Sequence, residues 1–310
     1  MKKALLFGIA VLASASMSAQ TVVWPCQINR AEKTSNISAT VTGSTTITAK
    51  DIVMGSDIEI NMKDDAPAPA AVKDETGANI NYPSDDYGMI AWKPINGNAK
   101  DSDGNLTNDE STADAAVTQN AYLDFTVEEG DTEKDLTGLT SITFDATKIG
   151  TDAIRLNCKL LYEGDGEGES EWLINQEVAN SFGDEYNGDA NDKADPFDDN
   201  ANGYNPSRND GSKGAAGGAN QKGISHVTLT MPDAVKALNP YKLTLRIAII
   251  GCANNKQLAL NNVTFNFGGE AAINNVKADA QNGAIFNVAG QKVGANYKGL
   301  VIKNGKKTIQ

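Results

Sequence analysis

Residues 139–162 read LTSITFDATKIGTDAIRLNCKLLY, and the alternation within them decides the fold class. In the first half Ile142 and Phe144 share one side. In the second, Ile154, Leu156, Cys158 and Leu160 alternate with Arg155, Asn157 and Lys159. A period of two with one apolar face marks antiparallel strands that are packed on one side and wetted on the other. The link ATKIGTD carries Gly150 where a chain reversal wants positive φ. The stretch is therefore expected to form two antiparallel strands joined by a reversal.

The same beat recurs on either side. Leu123, Phe125 and Val127 alternate with Asp124, Thr126 and Glu128 in Ala121–Glu128, and Val263, Phe265 and Phe267 do so in Gln257–Phe267. Further strand candidates are Ile37–Thr48, Asp57–Met62, Gly88–Trp92, Trp172–Val178, Ile224–Met231 and Tyr241–Ile250. Val22–Pro25 reads as a short edge strand, because proline is tolerated only at edges and ends. The one helical signal is a turn over Asp233–Leu238, stopped by Asn239-Pro240. About ten strands with almost no helix predict an all-β fold, a jelly-roll-like β-sandwich, followed by a small C-terminal β-hairpin tail. Two stretches, 63–83 with its APAPAA run and the Asp/Asn/Gly-rich 180–221, are long enough to be functional insertions.

Three regions are expected. Residues 1–19 have Lys2 and Lys3, an apolar run and small residues, the make-up of a secretory signal cut after Ala19 or Ser18. Residues 20–270 form the β-sandwich module, and residues 271–310 a lysine-rich, acid-poor tail. In that tail Asn304-Gly305, between Leu300–Lys303 and Lys306–Ile309, is the strongest hairpin signal in the chain. No stretch reaches the roughly 20 apolar residues that a membrane-spanning helix needs. The chain is expected to be exported, to the cell surface, the medium or the periplasm.

The net charge is −13, and residues 20–270 carry about −20 once the basic ends are set aside. Such a body repels nucleic acid and anionic membranes and favours neutral partners. The three cysteines are an odd number for an oxidising compartment; Cys158 and Cys252 are either a pair or two buried thiols.

Two segments resemble known families. The tail, with Ile285-Phe286-Asn287-Val288-Ala289-Gly290-Gln291-Lys292-Val293, then Lys298-Gly299-Leu300-Val301-Ile302 and Asn304-Gly305-Lys306-Lys307, resembles the type IX secretion sorting domain. That resemblance implies contact with a secretion machinery. The body resembles β-sandwich modules found beside polysaccharide lyases and glycoside hydrolases. The residues that carry it are the opening VVWP, ITAKDIVMGSDIEI (47–60), SITFDATKIGTD (141–152) and NNKQLALNNVTF (254–265). It implies a module that binds a polysaccharide or a glycoprotein glycan.

Sugar recognition needs aromatic faces against pyranose C–H groups, with polar side chains reaching the hydroxyls. The candidates are Trp172, which follows an acidic loop, Trp92 beside Lys93, Tyr87 in SDDYG, and Tyr162 at a strand end. Each is alternatively a core or strand-end filler. Asp198, Asn200 and Asn202, then Gly203, match the first half of a calcium loop, with Asn209 at the twelfth place where a glutamate is usual. The alternative there is a string of Asx-Gly turns. His226, the only histidine, falls on a polar strand face, and no G-x-S-x-G or H-E-x-x-H pattern occurs. The first expectation is an exported, non-catalytic glycan-binding module. A surface adhesin with calcium-stabilised loops is the second and a jelly-roll glycan-cleaving enzyme the third.

Overall fold

The computed structural model describes residues 20–29, 32, 34–44, 46–61, 87–130, 135–149, 154–182, 196–207, 223–251 and 257–268, and the backbone of four short tail strands. The chain divides into two units, Met1–Gly268 and Gly269–Gln310.

In chain order the first unit contains β1 (Gln20–Trp24), β2 (Gln27–Asn29), β3 (Thr34–Asn36), β4 (Thr40–Thr42), β5 (Ile47–Ala49), β6 (Val53–Met54), β7 (Ile58–Ile60) and β8 (Tyr87–Pro94). Helix α1 (Ala113–Thr118) follows, then β9 (Tyr122–Glu129), β10 (Leu139–Ile149), β11 (Ile154–Glu163), β12 (Glu167–Glu169) and α2 (Gln176–Ser181). The unit closes with β13 (Phe197–Asp198), β14 (Gly203–Tyr204), β15 (Ser225–Leu229), α3 (Asp233–Lys236), β16 (Lys242–Gly251) and β17 (Gln257–Phe267).

These strands build two antiparallel sheets, an all-β sandwich. The first runs β15-β10-β17-β8-β2-β3, with β1 bridging β17 and β4, and β7 on β8. The second runs β13-β14-β11-β16-β9-β5, with β12 on β11 and β6 on β9. The inner faces carry the alternating apolar residues read from the sequence: Ile142, Phe144, Ile154, Leu156, Cys158, Leu160, Leu123, Phe125, Val127, Val263 and Phe265 are all buried. Trp24 joins the sheets, edge-on to Phe125 of the second and Phe265 of the first, each at 5.5 Å between ring centroids. Its indole N–H donates to the Lys50 carbonyl at 3.1 Å, so the core ring leaves no polar atom stranded.

Several local expectations change. β10 and β11 are not partners: β10 pairs with β15 and β17, β11 with β16, β14 and β12. The two strands of 139–162 thus belong to opposite sheets; the link with Gly150 lies outside the described residues. β1 is no edge, because Val22 and Val23 pair with β17 on one flank and β4 on the other. Pro25 instead ends it, and β8 takes the same flank of β17 over Leu258–Leu260. Ile37–Thr48 breaks into β4 and β5 at Gly43, whose φ of 78° suits a residue without Cβ. Trp172–Val178 is not a strand but an extended segment leading into α2, where the Asn175 side chain accepts from the Val178 N–H at 3.0 Å as an N-cap. Asn157 explains that segment. Its side chain donates to the carbonyls of Ile174 and Asn202, both at 2.9 Å, so the outer face of β11 is roofed there rather than wetted.

In the second unit the described strands are β18 (Ile285–Asn287), β19 (Lys292–Val293), β20 (Leu300–Lys303) and β21 (Lys306–Ile309), in the order β19-β18-β20-β21. Lys303 pairs with Lys306 at the end of the β20–β21 hairpin.

Candidate functional site

The edge of the sandwich nearest β12 carries a cavity of about 810 Å³. One wall comes from Tyr162, Ser170, Trp172 and Leu173, beside β11; the other comes from Thr228 at the end of β15 and Val235 in α3. The wall beside β11 exists because the chain after β12 stays alongside that strand: the Ser170 N–H donates to Leu160 O at 2.8 Å and the Leu173 N–H to Cys158 O at 2.7 Å. Trp172 is thereby carried on a fixed backbone.

Its ring is fixed too. The indole N–H donates to Asp114 Oδ1 of α1 at 3.0 Å, and Lys159 Nζ stands 4.8 Å from the ring centroid. Lys159 is in turn held by Glu169 at 2.8 Å. Trp172 is thus partly buried, with its indole N–H anchored and Lys159 over its ring, and it lines the cavity.

A second, more open groove of about 640 Å³ lies on the outer face of β9, β16 and β11. It shares Tyr162 and Glu169 with the first cavity. The register sets its floor: Asp124 lies beside Arg246 and Arg246 beside Lys159, then Thr126–Thr244–Leu161, then Glu128–Lys242–Glu163. Arg246 grips Asp124 through two parallel bonds of 2.8 and 2.7 Å and stacks 4.0 Å over Tyr122. Lys242 bonds Glu163 at 2.6 Å, which holds the Glu163 carboxyl below the usual range and raises the lysine. The acids Asp124, Glu163 and Glu169 are each tied to a cation.

Of the four aromatic candidates, the structure brings Trp172 and Tyr162 to one cavity. Trp92 is a correction: it is 0% exposed on β8, with its indole nitrogen buried and without an acceptor, so it offers no face to a solute. Its inward position follows from the pleat, since Trp92 pairs with Leu258 of β17. Tyr87 opens β8, and its side chain lies outside the described residues. The calcium-loop candidates are divided. Asp198 caps its own turn, accepting from the Asn200 N–H at 3.0 Å, and pairs with Arg155 at 2.8 Å. Asn202 is held by Asn157, and Asn209 lies outside the described residues. An arginine already neutralises the one acid of that set, which leaves little charge there for a cation. His226 stays on the polar face, with Nδ1 2.6 Å from Asp145. Cys158 is free and buried, and Cys252 lies outside the described residues.

Sequence reasoning missed Asp114, Lys159 and Arg246 as parts of the site. The only hint was their placement on outward strand positions or in an unrecognised helix, α1, whose Thr112 cap accepts from Ala115 N–H at 3.2 Å.

No protein-family model matches the chain, and no curated protein does. Among solved structures, the chain is similar to the CBM27-1 module of Caldicellulosiruptor saccharolyticus, crystallised with mannohexaose. The likeness has 12% identity and a TM-score of 0.25, over 72% of this chain and 97% of that one. Among the described residues, no helix is long and apolar enough to cross a membrane.

Proposed function

We propose that this protein is a non-catalytic module that binds a neutral glycan in the cavity beside Trp172 and along the groove that continues from it past Tyr162. The single observation behind this reading is the anchored, partly exposed Trp172 ring on the wall of an 810 Å³ cavity. An immobilised aromatic face costs little conformational entropy when a sugar stacks on it. Ser170 and Thr228 stand beside it as short polar groups able to exchange hydrogen bonds with hydroxyls. The acidic surface disfavours acidic polysaccharides, which leaves neutral ones favoured over them.

Binding without cleavage is the reading that fits the groove's acids. Glycoside hydrolysis needs one carboxyl held protonated and a second held free on the far side of the bond. Of the four acids that line the groove, Asp124, Glu163 and Glu169 are instead locked to Arg246, Lys242 and Lys159, and Glu167 alone does not make a pair among the described residues. We further propose export by the N-terminal signal, with the lysine-rich tail as the sorting element.

A glycan array of neutral oligosaccharides, followed by calorimetry on the hits, tests the main reading. Binding that survives in wild type and is lost in Trp172→Ala supports it. Absence of binding across the array, or release of reducing sugar from any polysaccharide, overturns it.

A further inference from the structure

Asp57, just before β7, is 4% exposed, and Glu110, in the loop between β8 and α1, is 0% exposed. Their carboxyls are hydrogen-bonded to each other. Two ionised carboxylates offer only acceptors, so that bond exists only when one of the pair carries a proton.

The surroundings decide which one. Asp57 is well supplied with donors: Asn108 Nδ2 reaches its Oδ2 at 3.2 Å, the Asn96 N–H reaches the same oxygen at 3.4 Å, and Asn96 Nδ2 donates to Oδ1. Glu110 receives Asn108 Nδ2 at Oε1, 2.8 Å away, while its Oε2 is fully buried and without a donor. A Cβ at Gly97 would stand 2.9 Å from that oxygen and 3.1 Å from the Gly251 carbonyl oxygen, so a second acceptor borders the same space. Charge therefore rests on Asp57 and the proton on Glu110.

Nothing cationic opposes this. The titratable groups that act on Glu110 are Asp57 from the start of β7 and Asp109 from its own loop, and β16 presents only the Gly251 backbone. Lys100, in the same loop, is exposed, and none of the ion pairs among the described residues includes Asp57 or Glu110. Burial, then Asp57 and Asp109, push the Glu110 carboxyl up to about 9 against the opposing bond from Asn108.

The pair also sits where two remote stretches are fastened. Ile95 N–H donates to Asp57 O at 2.8 Å, Glu110 N–H to Asn98 Oδ1 at 2.9 Å, and Gly251 N–H to Glu110 O at 3.1 Å.

We propose that Asp57 and Glu110 form a proton-operated clasp: one shared proton holds the loop between β8 and α1 against the start of β7, and opening of the loop gives that proton up to water. In the open loop Glu110 returns to its ordinary value of 4.5. Between that value and about 9 the closed state binds one proton more than the open state. The clasp is thus at full strength below about pH 4.5, and each pH unit above that raises the opening equilibrium up to tenfold. Neither residue lines the cavity or the groove, so the device is separate from glycan binding.

Hydrogen exchange of the full chain between pH 5 and pH 8, corrected for the intrinsic pH dependence of exchange, tests it. In wild type the opening equilibrium read at the Ile95, Glu110 and Gly251 amides rises close to tenfold per pH unit. Glu110→Gln keeps a donor toward Asp57 and cannot ionise, so its opening equilibrium is flat over the same range. Infrared spectra of the wild type at pH 7 give a second readout, independent of any variant: the carbonyl stretch of one protonated carboxyl remains when the other acids have ionised. A flat wild-type profile overturns the proposal. So does an equal slope in Glu110→Gln, or a wild type with no protonated carboxyl at pH 7.

Discussion

Replacing Trp172 by alanine separates what its ring does for the fold from what it does for a ligand. Three local interactions go with the indole. The bond to Asp114 at 3.0 Å is to an ionised acceptor at a partly wetted position, worth about 1 kcal/mol. The Lys159 ammonium 4.8 Å from the ring adds about 0.5–1 kcal/mol. Partial burial of the ring contributes about 1 kcal/mol more. The sum is about 3 kcal/mol, or a drop of about 6–12 °C in melting temperature for a body of this size. Trp172→Phe keeps an aromatic face and loses the indole N–H, so it melts only about 2–4 °C lower. The ligand sees the two variants differently. Alanine removes the stacking surface and weakens glycan binding tenfold to a hundredfold, about 1.4–2.7 kcal/mol. Phenylalanine stays within about threefold of wild type. Calorimetry against the array hits gives the affinities, and differential scanning calorimetry gives the melting temperatures. If phenylalanine loses as much affinity as alanine, or if alanine binds like wild type, the ring is a strut for the β11 edge and not a platform.

The remaining predictions concern the groove floor and the core. Breaking the Asp124–Arg246 pair with Arg246→Met strands a carboxylate whose side chain is only 11% exposed and costs about 3 kcal/mol, whereas Asp124→Asn with Arg246→Met together costs markedly less. A urea-melt double-mutant cycle with no coupling would refute that. Trp92→Phe removes a buried N–H that has no acceptor, which offsets the small cavity, so stability changes by about 1 kcal/mol or less and glycan affinity does not change. A melting loss of many degrees would show that the indole nitrogen has a partner. Glu163 has its folded pKa below its unfolded value, so its contribution is present above about pH 4–5 and fades as pH falls through the folded value. Lys242→Met should therefore lower the melting temperature by about 1–3 °C at pH 7 and leave it nearly unchanged near pH 2. Equal losses at both pH values would mean the lysine stem packs rather than pairs.

Local periodicity settled which residues face inward, because the pleat of a strand is a property of the strand itself. Ile154, Leu156, Cys158 and Leu160 are buried in register whatever strand lies beside them. Partners are another matter. A hairpin and a crossing between sheets place the same alternation on the chain, so the 139–162 pattern could not tell that β10 and β11 belong to different layers. Trp92 and Trp172 sit in equally ambiguous surroundings in the linear chain. One packs on β17 and is sealed; the other hangs on a segment held by Asn157 and Cys158 and stays partly open. α1 is too short, at six residues, to show a helical repeat, so Asp114 went unnoticed as the anchor of the indole.

The chain order alone thus determined an acidic, strand-built body with a basic tail, since composition and a two-residue beat are local quantities. Only tertiary structure decided which aromatics remain accessible and which acids meet. Asp57 opens a strand candidate and Glu110 lies in a polar stretch far along the chain, and Asn108 joins them only because β7 pairs with β8 and the loop after β8 folds back on it. Distances between residues remote in the chain are set by sheet order, and sheet order is a property of the whole fold.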